Sequence, residues 1–562
     1  MIKGKKTLMP DALIDKTEPS FNAEPVLDAL IVGAGFSGMY QLICLRDRLG
    51  LSAKVLEAGS GVGGTWYWNR YPGARCDSES HVYWYTFDKK LMQDWDWSER
   101  YPEQPEILRY LNFVADRYDL RRDIRFNTRV VRADYDAAAN LWRVRTEAGE
   151  LYSARFLITA VGCLSTANVP KFPGLEQFKG DWYHTGQWPH EGVDFTGKRV
   201  GMIGTGSTGI QAAPVIAKTA AHLTVFQRTA NYSVPARNVP LTPEFKRWIK
   251  ENAEEIRSLT HETQNGQSFR IETRKALETS PEEREKIYEA AWERGGLQFR
   301  AVFEDMMSSK AANDTAADFV RRKIRSIVKD QATAAILSDI DHPYAGKRPP
   351  IDTDYFETFN RPNVSLVDVK AAPIECITAD GIRTAAAEYP LDIIVFATGF
   401  DAMTGPLMAM NIHGRGGEAL RESWNAGPRN YLGLQVSGFP NLFMITGPGS
   451  PSVLCNMPVA IEQHADWITD CIAHMRANGL DRIEAQQEAM DSWIEKVNQA
   501  AAATLLSTVP HSWYLGGNVP GKPRVFMPYA GGMANYRRIC DDVAAAGYPG
   551  FEMSASERVA AE

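Results

Sequence analysis

A glycine pattern that occurs twice in the same setting constrains this chain more than any other feature. Gly33, Gly35 and Gly38 form Gly-x-Gly-x-x-Gly after the short apolar run Asp28-Ala-Leu-Ile-Val. A helical stretch from about Phe36 to Arg48 follows, and Ala53-Lys-Val-Leu-Glu then reads as a second buried strand. Gly204, Gly206 and Gly209 repeat the pattern after Lys198-Arg-Val-Gly-Met-Ile, ahead of a helical stretch from Ser207 to Lys218 and the run His222-Leu-Thr-Val-Phe-Gln-Arg. Strand, glycine turn, helix and returning strand make a βαβ unit. The missing side chains permit the tight turn, close approach of a pyrophosphate to the helix N-terminus, and tight helix packing. One such motif could be a glycine turn before a core helix. Two in the same context predict an α/β fold with two Rossmann-like dinucleotide-binding domains.

The residue closing the second strand of each unit reaches the ribose next to the adenine. Glu57 lies 24 residues beyond Gly33, and Arg228 lies 24 residues beyond Gly204. A carboxylate accepts hydrogen bonds from a free 2′-hydroxyl, as in FAD, and repels a 2′-phosphate. An arginine forms charge-assisted hydrogen bonds with the 2′-phosphate of NADPH. The first unit therefore suits FAD and the second NADPH, although either residue alone could be a solvated charge at a strand end.

At roughly 100–200 residues per domain, 562 residues suggest about three domains. Residues 1–25 read as a loosely held arm. Residues 236–334 shift to Glu, Lys, Arg and Ala, with Ser280-Pro281-Glu282-Glu283 as a capping signal, and predict a helical insertion. The runs Phe156-Leu-Ile-Thr-Ala-Val and Leu391-Asp-Ile-Ile-Val-Phe-Ala each end near a glycine and read as strands returning to a cofactor sheet. This assigns 26–160 and 389–562 to a discontinuous FAD domain, and 161–235 and 335–388 to the NADPH domain. A net charge of −7 without a basic run gives nucleic acid or anionic lipid little to hold. The seven cysteines never form Cys-x-x-Cys, which argues against a metal knuckle, a redox dithiol and a disulfide framework. No run approaches a membrane span and the N-terminus lacks a signal-peptide pattern, so the expectation is a cytoplasmic enzyme without a metal.

Between the two units stands Phe178-Lys-Gly180-Asp-Trp-Tyr-His184-Thr-Gly-Gln-Trp188-Pro189, which resembles the Baeyer–Villiger monooxygenase fingerprint F-x-G-x-x-x-H-x-x-x-W-P at every specified position. A second family pattern is matched by Gly64-Thr65-Trp66, Tyr71-Pro72-Gly73 and Asp77. Residues 447–457 and 512–522 look most like the phenylacetone and steroid monooxygenase branch of these class B flavoprotein monooxygenases.

The resemblance implies NADPH- and O2-dependent oxidation of a ketone to an ester or lactone through a C4a-peroxyflavin. Arg348, in Gly346-Lys347-Arg348-Pro349, is implied as the catalytic cation, with Asp77 orienting it. From sequence alone, a surface or interdomain ion pair is the plainer reading of Arg348. Beyond the glycines and Glu57, the implied FAD site takes in Gly64, Thr65, Trp66, Asp77, Tyr83 and Met457. The implied NADPH site takes in Thr205, Ser207, Arg228, Thr229, Lys347 and Trp513, the last ordering over the nicotinamide on a mobile loop. His184, among aromatic neighbours, reads as a hydrogen-bonded linker residue rather than a proton-transfer group, and the resemblance implies a hinge role. The rival reading is a heteroatom-oxidising flavin monooxygenase, and a flavin-binding redox sensor is a further alternative. A disulfide reductase is disfavoured. The expected partners are a small ketone, aromatic or bulky and cyclic, and O2, with the chain acting as a monomer or a dimer.

Overall fold

The computed structural model describes residues 25–555, so the expected N-terminal arm lies outside the described residues apart from Pro25. In the first unit, strand Leu27–Val32 leads through Gly33 into helix Phe36–Ile43, which widens into a π-helical turn at Cys44–Arg48. The returning strand Ala53–Leu56 lies parallel to the first, with Ala29 opposite Ala53 and Val32 opposite Leu56. The second unit repeats this with strand Arg199–Ile203, helix Ser207–Ile216 and strand His222–Gln227, Arg199 lying opposite His222 and Ile203 opposite Phe226.

The first unit sits in a mixed sheet ordered Ile412–His413, Val130–Asp136, Leu141–Thr146, Leu151–Thr159, Leu27–Val32, Ala53–Leu56, Ile124–Arg125. Strand Leu151–Thr159 changes partner along its length. Its start runs antiparallel to Leu141–Thr146, its end lies parallel to Leu442–Met444, and its other edge pairs with Leu27–Val32. The second sheet is entirely parallel, in the order Val364–Asp368, His222–Gln227, Arg199–Ile203, Ile393–Phe396, Asp181–His184.

This order corrects one expected boundary. Ile393–Phe396, assigned from sequence to the FAD domain by the cut at 389, pairs between Arg199–Ile203 and Asp181–His184 in the second sheet. Ile394, Val395 and Phe396 are fully buried. A strand covered on both faces carries no alternation to show which parallel sheet it joins. The two exit runs noticed in the sequence are instead equivalents, one per sheet. A Cβ on Gly33 would lie 2.5 Å from the Ala160 carbonyl oxygen, and one on Gly204 would lie 2.4 Å from that of Ala397. Both glycines have positive φ, 104° and 113°, so each turn needs glycine on two counts.

Between the short paired strands Val234–Pro235 and Ile351–Asp352 the chain is helical, with helices Pro243–Glu251, Ala253–Glu262, Pro281–Arg294, Lys310–Ile327 and Gln331–Ser338. The Ser280 side chain accepts from the Glu283 amide at 3.3 Å, and Pro281 opens the helix, as the capping signal requires. The block divides its allegiance. Ile249, Ala253 and Ile256 join the core of the first sheet, whereas Tyr288, Trp292, Phe319 and Leu337 join that of the second. Among the described residues no helix is long and apolar enough to cross a membrane, and no group of three or more His, Cys, Asp or Glu could hold a metal ion.

Candidate active site

The two glycine loops differ from ordinary turns in what surrounds them. A Cβ on Gly38 would fall 1.8 Å from the Gly33 carbonyl oxygen, and one on Gly209 would fall 2.2 Å from that of Gly204, so each helix packs hard onto its own turn. The middle glycines face outward. A Cβ on Gly206 would meet nothing within 4 Å, and one on Gly35 would meet only the Gly64 backbone, 3.3 Å from its Cα. Gly64-Thr65-Trp66 therefore lies directly on the first loop. Open space at a helix N-terminus with bare backbone is the cradle a pyrophosphate requires.

The strand-end residues fit the same division. Glu57 is 4% exposed, and its two carboxylate oxygens accept from the amides of Ala34 and Gly59, both at 2.7 Å. Burial pushes its pKa up, and these amides pull it back. Each oxygen keeps a second lone pair for a hydroxyl. Arg228 is exposed at the end of its strand and makes no hydrogen bond or ion pair among the described residues. Burial pulls the nearby Lys347 ammonium down, Asp341 opposes this, and the Arg228 charge reinforces it. Two neighbouring cations, one of them exposed and without a hydrogen bond or ion pair among the described residues, suit a phosphate. Thr205 ties the second loop to this strand end, its hydroxyl donating to the Thr229 carbonyl at 2.9 Å.

Arg348 is the centre of the site. Its Nε donates to Asp77 Oδ2 at 2.6 Å, its Nη2 to Asp77 Oδ1 at 2.7 Å, and its Nη1 to the Val453 carbonyl at 2.7 Å. Both side chains of the ion pair are 22% exposed. Burial alone would lower the guanidinium pKa, but the Asp77 charge and hydrogen bonds outweigh it, so the cation is held more firmly than an ordinary arginine. Asp77 links this cation to the first unit. Tyr83 lies in the field of Asp77 and Arg348, and its hydroxyl accepts from Trp66 Nε1 at 3.1 Å.

The fingerprint residues stand apart from this ion pair. His184 ends a strand of the second sheet, is 2% exposed, and accepts from the Gly186 amide through Nδ1 at 3.0 Å. Its ring meets Phe400 edge-on at 6.0 Å, and burial pushes its pKa down to about 4. Residues 167–168 and 399–400 pair beside it, where the chain crosses between the sheets. Trp188 is buried against Tyr183 and Phe195, and Pro189 follows it. Gly180 is required by the Asp392 carbonyl, which a Cβ would approach to 2.3 Å, and by the Phe178 ring at 2.6 Å. Met457 and Trp513 share an apolar cluster with Val453, and the Trp513 ring lies 4.4 Å from Tyr514.

Three neighbours of Arg348 carry no sequence signal. The Val453 carbonyl is backbone, and its turn Ser452–Leu454 leads into helix Met457–Ala477. Burial pushes the Tyr514 phenol up to about 12, while the charges of Arg348 and Arg300 pull it back. Arg300 comes from the helical insertion, where an arginine is unremarked.

Comparisons with known proteins identify the family. Residues 28–238 match the flavin-binding monooxygenase-like family. The chain is 45% identical to a Baeyer–Villiger monooxygenase of Pseudooceanicola batsensis over 95% of its length and 97% of the relative's. It is 44% identical to a phenazine N-monooxygenase of Lysobacter antibioticus, covering 94% and 97%. A solved structure of oxidized steroid monooxygenase bound to NADP is 52% identical, with a TM-score of 0.90 and coverage of 94% and 99%. The fingerprint, the two nucleotide loops and these relatives together show that the chain belongs to the Baeyer–Villiger monooxygenase family of flavoproteins.

Proposed function

We propose that this protein uses FAD, NADPH and O2 to convert a ketone to an ester or lactone, with NADP+ and water as the other products. The observation that carries the reading is the adjacency of Lys347 and Arg348. One feels the charge of Arg228 at the end of a second-unit strand, while the other is clamped to Asp77 beside the Trp66 loop of the first. When bound, the flavin supplies the electrons and oxygen activation that no side chain provides. Gly35, Gly64 and Glu57 fit its diphosphate and ribose, and Gly206, Thr205, Arg228 and Lys347 fit NADPH.

Arg348 is the catalytic residue in this reading, and Asp77 is a positioning residue. A guanidinium has five N–H donors, of which three are engaged, leaving one on each Nη to face an anionic oxygen. Because it does not give up its proton, it stabilises negative oxygen without neutralising it. The same pairing with Asp77 that raises its pKa fixes the fork's direction. The cytoplasmic setting is supported by seven free cysteines.

Oxygen transfer to a ring nitrogen is a second reading, favoured by the phenazine N-monooxygenase relative. Product analysis separates the two. The FAD-loaded protein is given NADPH, O2 and either a panel of cyclic and aryl ketones or phenazine. Esters or lactones support the main reading, N-oxides alone support the second, and NADPH consumption indifferent to every substrate defeats both.

A further inference from the structure

The Tyr71-Pro72-Gly73 motif has no part in the proposed reaction. By sequence it belongs to the first unit, between the Trp66 loop and Asp77, yet it packs on the second. Tyr71 and Ala74 sit in the core of the second sheet with Ile210, Ala212 and Ala213 of helix Ser207–Ile216. The Ala74 amide donates to the Tyr71 carbonyl at 3.1 Å, which closes a turn. Inside that turn Gly73 has φ 78°, and a Cβ there would lie 2.5 Å from the Gln211 carbonyl oxygen and 3.0 Å from the Val215 side chain. Glycine is required because the turn lies directly on the helix backbone.

One side chain of the helix joins the two units. Gln211 Oε1 accepts from the Tyr71 hydroxyl at 2.8 Å, and Gln211 Nε2 donates to the Arg75 carbonyl at 3.1 Å. A carboxamide can accept and donate at once, as this place between a phenol and a carbonyl requires. On its other side the segment is tied to the first unit. The Gln104 amide donates to the Ala74 carbonyl at 2.8 Å and the Arg75 guanidinium to Glu103 at 2.6 Å, where helix Gln104–Arg117 begins and carries Ile107 and Tyr110 into the core of the first sheet. Asp77 follows two residues after Arg75 and holds Arg348 by two hydrogen bonds. Gln211 lies about 7 Å along the helix axis from Gly206. An unbroken series of contacts thus runs from the second nucleotide loop through Gln211 and Arg75 to the Asp77–Arg348 pair.

We infer that Tyr71 and Gln211 are positioning residues for oxygen transfer: their hydrogen bond seats the segment that carries Asp77 on the coenzyme helix, and through Asp77 it sets the direction of the Arg348 fork. This rests on the Baeyer–Villiger reading and adds to it two residues that act through Arg348. Stabilising an anionic oxygen depends on where the donors point, whereas hydride transfer does not use the fork, so the two residues serve the oxygen half of the reaction alone.

The test uses the FAD-loaded protein, whichever of cyclohexanone and phenylacetone the wild type converts better, and the variants Tyr71→Phe, Gln211→Leu and their double. Tyr71→Phe keeps the buried ring and removes only the hydroxyl. At saturating NADPH, ester formed per NADPH consumed should fall about three- to tenfold, the range of one hydrogen bond, with hydrogen peroxide making up the difference. Anaerobic bleaching by NADPH, and the Kd for NADP+ titrated on the flavin spectrum, should stay within about threefold of the wild type. Gln211→Leu should uncouple at least as far, and the double variant no further than Gln211→Leu, because both changes break the same bridge. Unchanged ester per NADPH in Tyr71→Phe would overturn the inference, and so would losses that add in the double variant. A parallel fall in ester and bleaching would reduce the bond to a structural one, and a Kd for NADP+ weakened beyond that range would give Gln211 to the coenzyme; either result overturns the inference alone. No ester from the wild type would overturn it together with the reading it rests on.

Discussion

Replacing Arg348 with alanine removes three hydrogen bonds at once, two to Asp77 and one to the Val453 carbonyl. It also removes the two remaining N–H groups, which the proposed function assigns to the reacting oxygen. Losing a preorganised donor to an anionic oxygen costs about 2.7–4 kcal/mol, so ester formation should fall about 10²–10³-fold. Hydride transfer from NADPH develops no such oxygen charge, so anaerobic bleaching of the yellow protein by NADPH should change by less than about tenfold. The assay is therefore a comparison of two quantities in one preparation: ester formed per NADPH consumed in air, and the anaerobic bleaching rate. In air the variant should oxidise NADPH and release hydrogen peroxide. The alanine also leaves the Asp77 carboxylate, 22% exposed, without its bidentate ion-pair partner, which destabilises the fold by up to about 3 kcal/mol. Adding Asp77→Ala should restore part of the lost Tm and none of the ester. Ester formation within about threefold of the wild type in Arg348→Ala would refute the assignment of this cation to oxygen transfer.

Arg228→Ala should raise the KM for NADPH about 10–100-fold and leave that for NADH within about threefold, because only the 2′-phosphate loses a charged partner; steady-state kinetics with both coenzymes decides this. The two alanine substitutions Gly33→Ala and Gly206→Ala should separate fold from function. The first forces a Cβ onto the Ala160 carbonyl at φ 104° and should lower Tm by more than 5 °C or so, whereas the second enters open space, keeps Tm, and weakens NADPH binding. Glu462 is 5% exposed and accepts from the Thr86 amide at 2.6 Å, and burial pushes its pKa up to about 7. The folded state then holds a proton that the unfolded carboxyl releases, so stability is lost as pH rises from about 4.5 to about 7, by at most about 3 kcal/mol. Glu462→Gln should flatten that decline in Tm; an identical slope would show that other groups cause it.

The sequence was most legible where chemistry demands a particular backbone. Gly33, Gly38, Gly204 and Gly209 each forbid a side chain for a reason that the three-dimensional packing repeats, and Ser280 caps its helix as the local pattern requires. It was least legible where the deciding contact comes from far along the chain. Asp77 and Arg348 are 271 positions apart, and only the family motifs brought them together beforehand. Ile393–Phe396 could have joined either parallel sheet, because burial on both faces erases the pattern that would distinguish them. The helical insertion was recognisable as helix, but its division between two cores was not, since a helix's apolar face does not name its partner. The Val453 carbonyl lay beyond sequence reading altogether, because every residue has one.

The single peptide bond between Lys347 and Arg348 has a consequence for anyone redesigning this enzyme. In the proposed reading, coenzyme preference and oxygen transfer fall on neighbouring residues of one short segment, so a change at Lys347 intended to admit NADH should disturb the guanidinium next to it. Arg228, just past the end of strand His222–Gln227 and without a hydrogen bond or ion pair among the described residues, should be exchangeable without that penalty. In that reading the two positions are unequal entry points to the same goal: exchange at Arg228 should leave the reaction's coupling intact, and exchange at Lys347 should lower it.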